Sequence, residues 1–94
     1  MFHVDHGTEG TIALVGRLDA SQADKAKNIF EDITESTVLD LKDLEYISSL
    51  GLGILFSTQI RLKESGHQLK LINMNDHIRD VFKYTSFDKM FEIE

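Results

Sequence analysis

The 94-residue sequence has no cysteine, no proline and no tryptophan. Without cysteine there is no disulfide framework, thiolate metal site, iron–sulfur site or thiol nucleophile. Without proline, no native cis-prolyl bond slows folding. Cations are also scarce: 10 Lys plus Arg stand against 16 Asp plus Glu, for a net charge of −6. Nucleic acid is therefore not an expected partner, because phosphate neutralisation needs clustered Lys and Arg. The acidic balance permits a basic protein partner. Long apolar runs are missing too. The longest candidate, Leu50 to Ile60, is interrupted by Ser57, Thr58 and Gln59, and it is about half the ~20 residues of a spanning helix. Met1 to His6 lacks a basic region followed by an apolar stretch, so neither a targeting segment nor a membrane partner is expected. With no cysteine, the cytoplasm is the expected compartment.

What is present is ordinary globular composition: 41% hydrophobic and 28% charged residues, too apolar for a disordered chain. The length predicts one domain, residues 1–94, burying about 60–65% of the surface its unfolded chain exposes. Such a core leaves little room for an enclosed substrate pocket. A binding module or a very small enzyme is favoured, and the expectation here is that the chain is not an enzyme.

Periodicity gives the element order. Residues 2–5 and Thr11–Val15 predict a hairpin around His6–Gly10. From Asp19 the period changes, and Ala20, Ala23, Ala26, Ile29, Phe30 and Ile33 predict a helix with one apolar face. Asp19 or Ser21 is its expected cap. Thr37–Leu41 reads as a central parallel strand reached by a crossover. Lys42–Ile47 reads as a connector anchored by Leu44 and Tyr46. A second helix is predicted from Leu50 to Glu64, opened by Ser48-Ser49 and closed by Ser65-Gly66. Gln68–Ile72 is a strand, and Ile78, Val81 and Phe82 mark a third helix capped by Asn75 or Asp76. A short edge strand is expected at the end. The fold class is α/β: a small domain with a mixed β-sheet and three to four helices packed on it.

Most chemical constellations dissolve on inspection. His3, His6, His67 and His77 lie at a terminus or near turns without an H-E-x-x-H pattern, so no metal site is expected. Most of the carboxylates form solvated faces. Asp40, inside an apolar strand, either faces solvent or ends the strand at a functional edge. Gly51-Leu52-Gly53 completes neither phosphate-cradling loop. Ser49 lacks the G-x-S-x-G setting of a nucleophile. The segment Ile47 to Leu52 is the best local site. Ser48 or Ser49 can cap the helix. An accessible serine there can also take a phosphate, which free backbone N–H groups and the helix dipole favour. The modification would add about −1.5 to −2 charges. Gly51 and Gly53 beside the serines suggest close approach by a neighbouring strand or a partner.

These segments carry a resemblance. Gly16-Arg17-Leu18-Asp19-Ala20, then Val38-Leu39-Asp40-Leu41, leads through Leu44 and Tyr46-Ile47 to Ser48-Ser49-Leu50-Gly51-Leu52-Gly53. This resembles the STAS domain and, more narrowly, the bacterial anti-sigma factor antagonists. His77–Phe82 and Thr85–Phe91 resemble their C-terminal helix and the segment after it. The likeness covers nearly the whole chain. Many antagonists have Asp and a hydroxyl residue on either side of the phosphorylated serine; this chain has Ser48 and Leu50.

The resemblance implies Ser49 as the phosphorylation site and partner switching as the mechanism. The unphosphorylated chain would bind an anti-sigma factor that is also a serine kinase of the GHKL type, freeing a sigma factor. Phosphorylation would eject it, and a PP2C-type phosphatase would reset it. The ATP belongs to the kinase, so the chain itself would need no cofactor. Ser48, Leu50, Gly51, Leu52, Gly53, Tyr46 and Asp19 are the expected partner-binding residues, with Leu50, Leu52 and Tyr46 forming an apolar rim. The alternative is a STAS subunit of a transport or signalling complex with no sigma factor role.

Overall fold

The computed structural model describes residues 1–8 and 10–94. Strands β1 (Phe2–His6) and β2 (Thr11–Leu18) form the expected antiparallel hairpin, with Val4 opposite Leu14. β2 organises the sheet. Along Thr11–Ala13 it pairs in parallel with β3 (Thr37–Asp40), and along Gly16–Leu18 with β4 (Leu44–Ile47). The main path runs β1-β2-β3-β5-β6, where β5 is Leu69–Ile72 and β6 is Glu92–Ile93. A parallel core with one antiparallel edge makes this the expected mixed sheet.

β4 corrects the reading of residues 42–47 as a connector. Only Lys42-Asp43 form the turn. The strand's signal is hidden because its buried residues, Leu44 and Ile47, are three apart rather than two. The register against β2 shifts between Gly16 and Arg17. At that bulge Gly16 adopts φ +96°, and a Cβ would run into the Met1 carbonyl. Glycine is required there on both counts.

Alternation along the strands separates the two faces of the sheet. Ile12, Leu14, Leu39, Leu69 and Leu71 are buried, whereas Ala13, Val38, Asp40, Lys70 and Ile72 are half-buried on the other side. The helices complete one core. α1 (Ala23–Glu31) contributes Ala26 and Phe30. α2 (Ser49–Glu64) contributes Leu52, Leu55 and Leu62, and α3 (Asp76–Tyr84) contributes Ile78 and Phe82. Fully burying one such side chain stabilises the fold by about 1.5–3 kcal/mol.

The first helix begins differently from expectation. Asp19 caps a short 3-10 turn, Ala20–Gln22, and α1 starts only afterwards. Ile33, read as part of the helical stripe, lies beyond its end but is still buried. Asn75 caps α3 by accepting the Ile78 amide at 2.9 Å. Asp40 faces the half-buried side and closes its strand locally. Its Oδ1 accepts the Lys42 amide at 3.0 Å and Asn73 Nδ2 at 3.2 Å.

Candidate functional site

The parallel pairing of β2 with β4 brings both strands' C-terminal ends to one edge of the sheet. Leu18 lies beside Ile47, and the Ser48 amide donates to the Leu18 carbonyl at 2.9 Å. The chain leaves this edge at Asp19 toward α1 and at Ser48 toward α2. Carboxyl ends of parallel strands are the usual place for ligands in α/β folds.

The two serines divide the work. Ser48 has extended backbone (φ −86°, ψ 171°), and its hydroxyl accepts the Gly51 amide at 3.2 Å. Its carbonyl accepts the Leu52 amide at 2.9 Å. Ser48 is therefore the N-cap, which resolves the two capping options. Ser49 is the first helical residue and is exposed. The amides of Ser49 and Leu50 are the first-turn donors left without an intrahelical acceptor. A nucleophilic Ser49 would need a histidine and a carboxylate hydrogen-bonded around its hydroxyl. No such arrangement occurs among the described residues, and the groove beside Ser49 has no histidine in its lining.

That groove lies between α1 and α2 and has a volume of about 470 Å³. Of the expected site residues, Ser49, Leu50 and Gly53 line it. Leu50 is 54% exposed, a large apolar side chain left open at the mouth. Gly51 and Leu52 face inward instead. A Cβ on Gly51 would sit 2.8 Å from Leu18 Cγ, and Leu52 is buried in the core. Leu52 is thus removed from the apolar rim: it lies about 100° round the helix from Gly53 and packs into the core. Tyr46 stands apart from the groove. The Arg17 guanidinium lies 4.6 Å over its ring, a cation–π contact on the strand surface.

Asp19 sits outside the groove's lining as well. Hydrogen bonding from the Ser21 hydroxyl holds its carboxyl below the usual carboxylate value, and the Ser21 amide adds to the effect. Its local role is to turn the chain into the 3-10 segment.

Several groove residues carry no sequence signal of function. Arg61, from the last turn of α2, donates from Nη1 to the Ile33 carbonyl at 2.8 Å and from Nη2 to the Phe30 carbonyl at 2.9 Å. It thereby closes the C-terminal end of α1 and fixes the distance between the helices. Lys27 and Phe30 reach the groove from α1, and Ile54 and Ser57 from α2. The only legible hint is the fourfold spacing of Ser49, Gly53 and Ser57, which lays a low strip along one face of α2. Gln59, read as a polar interruption, is buried. It accepts the Leu69 amide at 2.7 Å and donates to the Met90 carbonyl at 2.8 Å.

Among the described residues no His, Asp and Glu cluster is arranged to hold a metal ion, and no helix is long and apolar enough to cross a membrane.

Comparison with known proteins places this geometry. The family profile described as "Mlab, STAS domain" matches residues 2–92. The BtrV protein of Bordetella bronchiseptica is 32% identical over 74 residues, which are 79% of this chain and 58% of that protein. An anti-sigma-B factor antagonist of Listeria monocytogenes is 30% identical over 87 residues, covering 88% of this chain and 76% of that one. Among solved structures, the Bacillus anti-sigma factor antagonist SpoIIAA superposes with a TM-score of 0.70 at 17% identity in its phosphorylated form. That match covers all of this chain and 91% of SpoIIAA. A fold built on one sheet-edge serine site and a profile match across almost every residue lead to one assignment: the chain belongs to the STAS domain family.

Proposed function

We propose that this chain is an anti-sigma factor antagonist that works by partner switching at Ser49. Unphosphorylated, it binds an anti-sigma factor/serine kinase of the GHKL type and releases a sigma factor. The Ser49 oxygen then takes the γ-phosphoryl group of ATP held by the kinase, ADP leaves, and the hydroxyl proton passes to a base on the kinase. A PP2C-type phosphatase uses water to return Ser49 and inorganic phosphate. The chain contributes a surface and one modifiable hydroxyl, and no cofactor of its own.

The observation that carries this reading is the separation of Ser48 from Ser49. The cap is made by Ser48, so the Ser49 hydroxyl is exposed at the first helical position without a structural task. A phosphate there meets the free first-turn amides and the positive end of a 16-residue helix, worth about 0.3–1 kcal/mol. Phosphorylation therefore leaves the fold intact and acts on the surface. It puts about −1.5 to −2 charges beside exposed Leu50 and the apolar groove, where a docked partner would desolvate them. Support comes also from the relatives named as antagonists and from SpoIIAA, which has been solved with and without its phosphate.

The test is binding to a purified GHKL-type kinase of the same organism. Ser49→Ala should bind as tightly as wild type and resist release by ATP. Ser49→Asp should bind on the order of tenfold more weakly, about 1.4 kcal/mol. Equal affinity of the two variants would contradict the electrostatic switch. A STAS subunit of a transport or signalling complex would instead bind through this face with no transfer to Ser49.

A further inference from the structure

The two glycines opening α2 have opposite surroundings. A Cβ on Gly51 would lie 2.8 Å from Leu18 Cγ and 2.9 Å from Ile47 Cγ1, so the core demands its bareness. A Cβ on Gly53 would meet nothing within 4 Å. Gly53 also keeps ordinary helical backbone and is not among the glycines with positive φ. Neither packing nor conformation calls for glycine at position 53, yet glycine weakens a helix interior relative to alanine. No contact inside the chain offsets that weakening. The missing side chain instead deepens the α1–α2 groove, between Phe30, Leu50 and Ile54.

The groove's charge also differs from the molecule's. Lys27 and Arg61 line it with a single carboxylate, Glu31, on a chain of net charge −6. Among the described residues, neither Lys27 nor Arg61 has a carboxylate within ion-pair distance; the ion pairs found involve His3 and Lys70. Arg61 is held in place by two carbonyls rather than by a counter-ion. Arg61, held by carbonyls, and the exposed Lys27, neither with a carboxylate partner among the described residues, flank an apolar trough and form the complement of an acidic, amphipathic segment.

We propose that the groove receives an amphipathic helix of the partner protein, with one large apolar side chain seated over Gly53 and flanking carboxylates set against Lys27 and Arg61. The low strip of Ser49, Gly53 and Ser57 lets that helix approach α2 closely. This inference rests on the partner-switching reading and gives its switch a direction. A phosphate on Ser49 enters the end of a groove that selects carboxylates, and so repels the segment that the unmodified groove attracts.

The experiment measures affinity for the purified GHKL-type kinase, with ADP, for wild type, Gly53→Leu and Lys27→Glu. Gly53→Leu should keep or raise the thermal midpoint and lose at least about tenfold in affinity, as expected when a central pocket is filled. Lys27 is exposed, so Lys27→Glu covers the case in which the first variant misfolds. It should lose about fivefold at low salt, with the loss shrinking as salt rises. Gly53→Leu binding within about twofold of wild type overturns the apolar seat, and unchanged binding of Lys27→Glu overturns the acidic partner. No binding by wild type overturns the partner-switching reading and the docking proposal together. Self-association of wild type that Gly53→Leu abolishes would assign the groove to a second copy of the chain and also overturn the proposal.

Discussion

Ser48 and Ser49 are neighbours of one residue type with different physical duties, and stability measurements separate them. Replacing Ser48 with alanine removes the hydroxyl that accepts the Gly51 amide. Loss of such a cap costs about 0.5–2 kcal/mol, to be read as a lower midpoint in urea unfolding. Ser49→Ala removes an exposed hydroxyl and should stay within about 0.5 kcal/mol of wild type. The glycines separate in the same way. Gly51→Ala forces a methyl group against Leu18 and Ile47 and should cost about 1–3 kcal/mol as overpacking. Gly53→Ala should instead stabilise the chain by about 0.5–1 kcal/mol. Equal effects at positions 51 and 53 in the same urea series would remove the distinction on which the groove's reading stands. At this scale the sequence was largely legible. A serine pair before Gly-Leu-Gly marks a helix start and an accessible hydroxyl. Which serine caps was not legible, because that depends on where β4 delivers the chain.

Elements were legible where their period was undisturbed. The hairpin, α1, α2, α3 and β5 announce themselves through alternation or spacings of three and four. β4 does not, because the bulge at Gly16 and the tight Lys42-Asp43 turn break the two-residue repeat. The groove was not legible either. It exists only once α1 and α2 pack, and Arg61 sets its width through backbone carbonyls 28 and 31 positions away in sequence. No local pattern encodes such a contact. The C-terminal edge strand offers a pH test. The Lys70 ammonium hydrogen-bonds Glu94 at 2.7 Å and faces Glu92 at 3.7 Å. The Glu94 hydrogen bond, then the attraction of that carboxylate, raises the Lys70 pKa. A raised lysine contributes its stability fully below the unfolded-state value of about 10.4 and loses it as pH rises through the higher folded value. The difference in thermal midpoint between wild type and Lys70→Met should therefore be constant near neutral pH and shrink above about pH 10.4. A constant difference through that range would show that the pair adds nothing to β6.

At the scale of the whole molecule, an acidic chain of net charge −6 is built around one small core. Its most distinctive surface joins an exposed serine at a helix start to an apolar groove flanked by unpaired cations. The sheet places the serine at the carboxyl ends of β2 and β4, and the helices that form the groove pack on one core. In the proposed switch, one phosphate on Ser49 would need no refolding: it would sit where the helix dipole accepts it and where a docking partner does not. The most direct measurement is incubation of the full chain with a purified GHKL-type kinase of the same organism and ATP, followed by intact mass and peptide mapping. The expected result is one added phosphoryl group, on Ser49, abolished in Ser49→Ala and retained in Ser48→Ala. An active kinase that leaves the chain unmodified, or that modifies a residue other than Ser49, would contradict the switch.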